Sequence, residues 1–236
     1  MLMLALESSA KAASAALSRD GALLDMEFQN AGLTHSRTLL PMAETALNKA
    51  GFAIGDIDAV AVAHGPGSFT GIRIGVSTAK GLCWGGEKPA IGVSTLEAMA
   101  WNAVDAAAGD RLVCCAMDAR RSQVYNALFS VAQGKPQRLC ADRAIGLAEL
   151  AEELKKSEKS IFVLGDGGEL CYNYLKEQGL DAVLAAEQFR LQNAWGVCRA
   201  AQGRESASAG ALLPVYLRLS QAERERLEHM KHTKEE

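Results

Sequence analysis

Asp58-Ala59-Val60-Ala61-Val62-Ala63-His64, followed at once by Gly65-Pro66-Gly67-Ser68-Phe69-Thr70-Gly71-Ile72-Arg73-Ile74-Gly75, is the stretch on which the reading of this chain turns. The first part is an unbroken apolar run of strand length, the pattern of a strand buried on both faces. Gly-Pro-Gly ends it, and a helix is expected from Thr70 to Trp84, with Ser68 or Thr70 as its N-cap. A strand, a glycine turn and a helix together invite a phosphate-binding reading, because helix N-terminal amides hold anions. The spacing argues against the standard forms. Thr70 stands where a dinucleotide fingerprint needs its third glycine, and Gly71 is followed by Ile72-Arg73 rather than by Lys-Ser or Lys-Thr. Gly71, Gly75 and Ala79 recur every four residues and form one small-residue stripe. A mid-helix glycine costs roughly 0.8–1 kcal/mol relative to alanine, so the stripe predicts close approach of another backbone, either a neighbouring helix of this chain or a helix of a second chain.

On the N-terminal side, residues 2–6, 12–17 and 22–28 read as strands. Asp20-Gly21 between apolar runs is a hairpin signal. Residues 34–50 carry apolar positions at helical spacing (Leu39, Ala43, Ala46, Leu47, Ala50), closed by Gly51. On the C-terminal side, 89–93 reads as a buried strand and 94–104 as a helix, with Ser94 and Glu97 in a capping box. After the break at 106–110 the pattern restarts. Strands at 111–117 and 122–130 form a second hairpin around Arg120-Arg121. Helices at 147–156 and 168–178 flank a strand at 161–164, and a long helix is expected over 187–205. Residues 206–210 read as a loop, and Ser220 with Glu223 caps a final charged helix. Both halves begin with an antiparallel meander and continue as alternating units. The expected class is α/β, with lobes at 1–106 and 107–236, each a mixed sheet flanked by helices, and with the last helices free to pack back on the first lobe.

The chain has 236 residues, 49% apolar and 22% charged, which suffices for a packed core without disulfides or metals. Its net charge of −3 supplies no global attraction to nucleic acid, so any RNA contact needs a local basic patch or a basic partner. The six cysteines include no Cys-x-x-Cys pair and read as reduced core thiols; Cys114 and Cys115 should point to opposite faces of one strand. The N-terminus lacks the basic region of a signal peptide, and no run of about 18 apolar residues occurs, so the cytoplasm is the expected compartment. His35 reads as a helix-terminal hydrogen-bonder, His64 as a group able to polarise a bound anion, and His229 and His232 as solvated. Ser8 and Ser9 after the first strand, Asp118 after its counterpart in the second half, and Gly165 and Gly167 in Gly165-Asp166-Gly167-Gly168 are weak candidates for phosphate-binding turns.

Several segments together resemble the TsaB (YeaZ) family, a glycoprotease-like group related to TsaD within the actin-like ATPase (ASKHA) superfold. They are Leu4-Ala5-Leu6-Glu7-Ser8-Ser9, Thr34-His35-Ser36, Asp56-Ile57-Asp58, the His64–Gly75 turn and helix start, and Ile91-Gly92-Val93-Ser94-Thr95-Leu96-Glu97. Beyond residue 100 the resemblance is thinner: Asp118-Ala119-Arg120, Val124-Tyr125, Gly165-Asp166-Gly167 and Pro214-Val215-Tyr216-Leu217-Arg218. The resemblance implies a two-lobed actin-like fold and a role in making threonylcarbamoyladenosine in tRNA. It places the metal histidines of TsaD at Thr95 and Met99, neither a usual ligand for a divalent metal. It therefore implies a scaffold with no catalytic residue, metal or cofactor of its own, leaving ATP or ADP to the assembled complex. The implied partners are a TsaD-like catalytic subunit and a TsaE-like ATPase, with tRNA reached only through the complex and no membrane. Pairing is implied through the helices at 35–50 and 70–84, with His35, Leu39, Ala43, Gly71, Ile72, Gly75 and Ala79 as interface residues. Two rival readings remain: a homodimeric binding module using the same helix face, and an active glycoprotease-like or nucleotide-hydrolysing enzyme of the superfold.

Overall fold

The computed structural model describes residues 1–32, 34–106 and 108–218. The charged helix expected after Ser220, with His229 and His232, lies outside them.

The first half builds a five-stranded sheet in the order β3-β2-β1-β4-β5, from β1 (Leu2–Glu7), β2 (Ala13–Arg19), β3 (Ala22–Gln29), β4 (Ala59–Gly65) and β5 (Ala90–Ser94). The first three are antiparallel, while β4 runs parallel to β1 and β5 parallel to β4. Asp20 and Gly21 turn β2 into β3 with φ of 51° and 84°, the left-handed pair that matches hairpin twist. The second half repeats the plan. Strand β6 (Leu112–Asp118) pairs antiparallel with β7 (Gln123–Ala132), and β7 with both β8 (Lys135–Arg138) and β9 (Arg143–Gly146). Strand β10 (Ile161–Leu164) then runs parallel to β6, and β11 (Ala182–Leu184) parallel to β10. The same order, with the same switch from antiparallel to parallel at its first strand, is the two-lobed actin-like ATPase arrangement.

Helices fill the spaces between and outside the sheets. α1 (His35–Lys49) and α2 (Phe69–Gly86) cover the outer face of the first sheet, and α4 (Leu147–Leu154) and α5 (Gly168–Glu177) that of the second. Between the sheets lie α3 (Thr95–Asp105), packed on the second, and α7 (Ala194–Ala201), packed on the first. Strand periodicity feeds these layers. Leu2, Leu4 and Leu6 of β1 meet α1 and α2, while Met3 and Ala5 meet α7. Cys114 and Cys115 likewise enter opposite cores.

Three expectations need correction. The single helix over 187–205 is two, α6 (Glu187–Arg190) and α7. The chain becomes extended at Leu191, and Asn193 restarts the helix by accepting from the Gly196 amide at 2.9 Å. Strands β8, β9 and β11 were not anticipated, being only three or four residues long and poor in the alternation that marks a strand. Within this chain, Gly71 and Gly75 of α2 face the turn after β1 rather than another helix. A Cβ on Gly71 would lie 2.1 Å from the Ser8 carbonyl oxygen, and one on Gly75 2.6 Å from the Ser8 hydroxyl, so the stripe seats α2 on the turn after β1. The helix-on-helix approach falls instead at Gly196 of α7, where a Cβ would meet the Ala98 carbonyl oxygen of α3 at 2.2 Å.

Candidate functional site

Four turns leave the C-terminal ends of the parallel-paired strands β1, β4, β6 and β10, the usual ligand position in such sheets. They converge on a cavity of about 500 Å³ between the lobes, lined in part by Ser9, Lys11, Ser68, Asp118, Arg120 and Asp166. That volume falls within the range of roughly 300–1,000 Å³ typical of small-molecule sites.

Each turn is built by close backbone packing. After β1, Ser8 donates its hydroxyl to the Gly71 carbonyl at 2.9 Å and is consumed by packing on α2. The Ser9 amide donates to Glu7 Oε1 at 2.6 Å, and its carbonyl accepts from the Ser68 amide at 2.6 Å. Ser9 Oγ is buried, beside the cavity, and completes no hydrogen bond of standard geometry among the described residues. After β4, the Gly65–Pro66 peptide is cis, and Ser68 caps α2 through the Gly71 amide. Gly165 and Gly167 are likewise packing glycines: a Cβ on Gly165 would meet the Ala116 carbonyl oxygen at 2.0 Å, and one on Gly167 the Asp118 amide nitrogen at 2.6 Å. After β6, Arg120, Arg121 and Ser122 all have positive φ, of 66°, 55° and 55°. Each left-handed non-glycine residue costs on the order of 1–2 kcal/mol, and the Asp118 carboxylate, accepting from the Arg120 amide at 2.7 Å, helps hold the turn.

Sequence reasoning missed the electrostatics beneath this cavity. Glu7 is fully buried at the end of β1, and burial raises its carboxyl from its ordinary 4.5 to about 7; Ser9 offsets part of that and Asp166 adds to it. Across the lobes, burial raises Asp166 to about 6, eased by Gln192 and reinforced by the neighbouring Asp118 carboxylate. Gln192 is itself fully buried, yet neither amide atom completes a hydrogen bond of standard geometry, and Glu7 Oε2 and Asp166 Oδ1 are equally unpartnered among the described residues. The available signal was Glu7 itself, a charged residue ending an apolar strand. His64 does not line the cavity. Its Nδ1–H donates to the Leu213 carbonyl at 3.1 Å, and burial lowers its pKa, so it stays neutral and serves packing.

A segment from near the end of the described chain roofs the cavity. The Val215 amide donates to the His64 carbonyl at 2.7 Å, and Tyr216 stacks on Phe69 with ring centres 4.0 Å apart. Arg73 Nε donates to the Tyr216 hydroxyl at 2.9 Å, and the Arg218 guanidinium donates to the Ala119 carbonyl in the other lobe. Thr95 and Met99 are fully buried, Met99 within the core between α3 and the second sheet. Among the described residues no group of three or more His, Cys, Asp and Glu side chains is placed to hold a metal ion.

Of the residues expected at a partner interface, Leu39, Ala43, Gly71, Ile72, Gly75 and Ala79 are buried in the chain's own core. Their small size serves the packing of α1 and α2 onto the first sheet. His35 is half-buried and donates Nε2–H to the Ala10 carbonyl at 2.6 Å. On the outward faces of the same helices, Leu40 is 50% and Trp84 65% exposed.

A family model described as TsaD, tRNA N6-adenosine threonylcarbamoyltransferase, matches residues 29–207. The tRNA threonylcarbamoyladenosine biosynthesis protein TsaB of Bacillus subtilis (strain 168) is 32% identical over 237 residues, covering 98% of this chain and 100% of that protein. The protein of the same name from Escherichia coli (strain K12) is 38% identical over 125 residues, 53% of each. Among solved structures, YeaZ from Pseudomonas aeruginosa superimposes with a TM-score of 0.78 at 30% identity, over 92% of this chain and 99% of that one.

Proposed function

The chain belongs to the TsaB (YeaZ) family of tRNA threonylcarbamoyladenosine biosynthesis proteins, and from that premise we propose that it is a non-catalytic subunit that pairs with a TsaD-like threonylcarbamoyltransferase. The observation that carries this reading is the burial of Thr95 and Met99. At the positions the resemblance assigns to TsaD's metal histidines stand a methionine packed in the core and a threonine, so this chain offers no ligand pair there. A TsaE-like ATPase and ATP or ADP enter only with the assembled complex, in which the tRNA is modified. No described helix is long and apolar enough to cross a membrane, and we place the complex in the cytoplasm.

Pairing uses the outward faces of α1 and α2 rather than their glycine stripe. Leu40, Pro41 and Glu44 on α1 and Ser77, Gly81 and Trp84 on α2 are exposed on this face. Trp84 is the most exposed large apolar side chain on this face, and tryptophan is enriched among interface anchors. The same face would pair two copies when the chain is alone. Co-expression with a TsaD homologue, followed by an assay for the modified nucleoside, tests both parts. Trp84→Glu should weaken the heterodimer by more than about 10-fold while leaving the thermal midpoint of the isolated chain within about 2 °C. Transfer to tRNA by the chain without its partner would sink the non-catalytic reading; undiminished pairing by the Trp84 variant would sink the interface.

A further inference from the structure

The chain carries net charge −3, yet the mouth of the interlobe cavity is basic. Lys11, Arg120 and Arg218 line it, Arg121 adjoins Arg120, and Arg73 sits at its edge with its guanidinium 4.3 Å from the Phe69 ring centre. Two carboxylates share the site, Asp118 at the rim and Asp166 below. Five arginines elsewhere, Arg138, Arg143, Arg190, Arg199 and Arg204, have carboxylate partners within 4 Å. Around the mouth, among the described residues, Lys11, Arg73, Arg121 and Arg218 have none, and Arg120 reaches Asp118 only at 3.8 Å. The Arg120 side chain is 82% exposed, on a turn held in three successive left-handed residues. Two further observations point to an anionic ligand. The N-terminus of the 18-residue helix α2 opens onto the cavity, and Ser9 Oγ, fully buried beside it, leans on the Glu7 carboxyl without completing a hydrogen bond of standard geometry. Tyr216, backed by Phe69, lines the wall and stays 37% exposed, a face on which a base can stack.

We propose that this basic, aromatic-walled mouth is a direct contact surface for the RNA substrate, gripping the phosphodiester backbone of an unpaired stretch. The inference rests on the proposed function for the identity of the RNA. Cations without carboxylate partners supply sequence-independent attraction, and the aromatic wall selects unstacked over paired bases. RNA then touches this subunit as well as the catalytic one, and the subunit contributes to substrate capture.

The test uses the full chain, alone and with a TsaD homologue, and an unmodified tRNA transcript titrated at several salt concentrations. Lys11→Glu/Arg121→Glu should weaken tRNA binding by about 10-fold or more at 0.1 M salt. It should also flatten the slope of log affinity against log salt by about 1–2, since each lost phosphate contact removes ~0.7–0.9. Lys176→Glu, an exposed charge on α5 away from the cavity, should change binding less than about two-fold. Tyr216→Leu should weaken an unpaired oligonucleotide more than a duplex of the same length. Equal losses in the Lys176 and cleft variants, or unchanged binding in the cleft variants both alone and in the complex, would overturn the proposal. Heterodimer formation by the same variants, read by gel filtration, is a separate outcome: its absence in the unsubstituted protein counts against the pairing, whereas RNA binding by the chain alone still decides this inference.

Discussion

Replacing Glu7 by glutamine should stabilise this protein at neutral and alkaline pH and do little for it in acid. Glu7 is fully buried, and its carboxyl titrates near 7 rather than at its ordinary 4.5. The folded state therefore holds a proton that the unfolded chain releases. Stability linked to this group is fully present below pH 4.5 and is lost as pH rises through about 7. The gap is about 2.5 pH units, and at ~1.36 kcal/mol per unit the loss approaches about 3 kcal/mol above pH 8. Glutamine keeps the acceptor for the Ser9 amide, bonded at 2.6 Å in the native protein, and cannot ionise. For a chain of this length ~1 kcal/mol corresponds to roughly 2–4 °C, so the variant should gain about 6–12 °C at pH 8. Melting curves of both proteins at half-unit steps from pH 4 to 8.5 should coincide near pH 4, separate steadily from pH 4.5 to 7 and run parallel above about 7.5. Parallel curves between pH 4.5 and 7 would refute a buried, proton-holding Glu7.

The packing glycines supply opposite expectations on one helix. Gly71→Ala places a methyl against the backbone of Ser8 and should cost about 2–4 kcal/mol in urea unfolding, as overpacking against backbone does. Gly81→Ala, where a Cβ meets open space, should stabilise by ~0.5–1 kcal/mol; equal effects at both sites would contradict the seating of α2. Tyr216→Ala removes the Phe69 stack and the Arg73 hydrogen bond and should cost about 1–3 kcal/mol, with faster proteolysis near residue 215 as a second readout. Thiol titration of the native protein should find at most one fast cysteine, the half-exposed Cys140, and six after denaturation; burial raises the thiols of Cys83, Cys115 and Cys198.

Local signals decided much of the architecture. The apolar run at 58–64, the Asp20-Gly21 turn, the Ser94 cap and the restart after residue 106 each act over a few residues, and each appears in the fold where it was read. Segments whose structure depends on distant neighbours were harder. Strands β8 and β9 exist because β7 presents an edge to pair with, and the long C-terminal helix breaks where Leu191 and Asn193 meet Asn102 of α3. The candidate site divides in the same way. The four turns were legible, but the buried carboxyls Glu7, ending β1, and Asp166, in the turn after β10, come from different halves of the chain and meet only in the folded structure.

By itself the sequence determined the two repeated halves, the family, and the glycine-faced helix behind Gly65-Pro66-Gly67, because these rest on periodicity, turn chemistry and motif. Only the tertiary structure decided what the glycines are for. A stripe of small residues states that some backbone comes close without naming it, since the contact is with Ser8, 63 residues away from Gly71. That face is closed inside the chain, and the face proposed for a partner is the opposite one, where Leu40 and Trp84 are exposed.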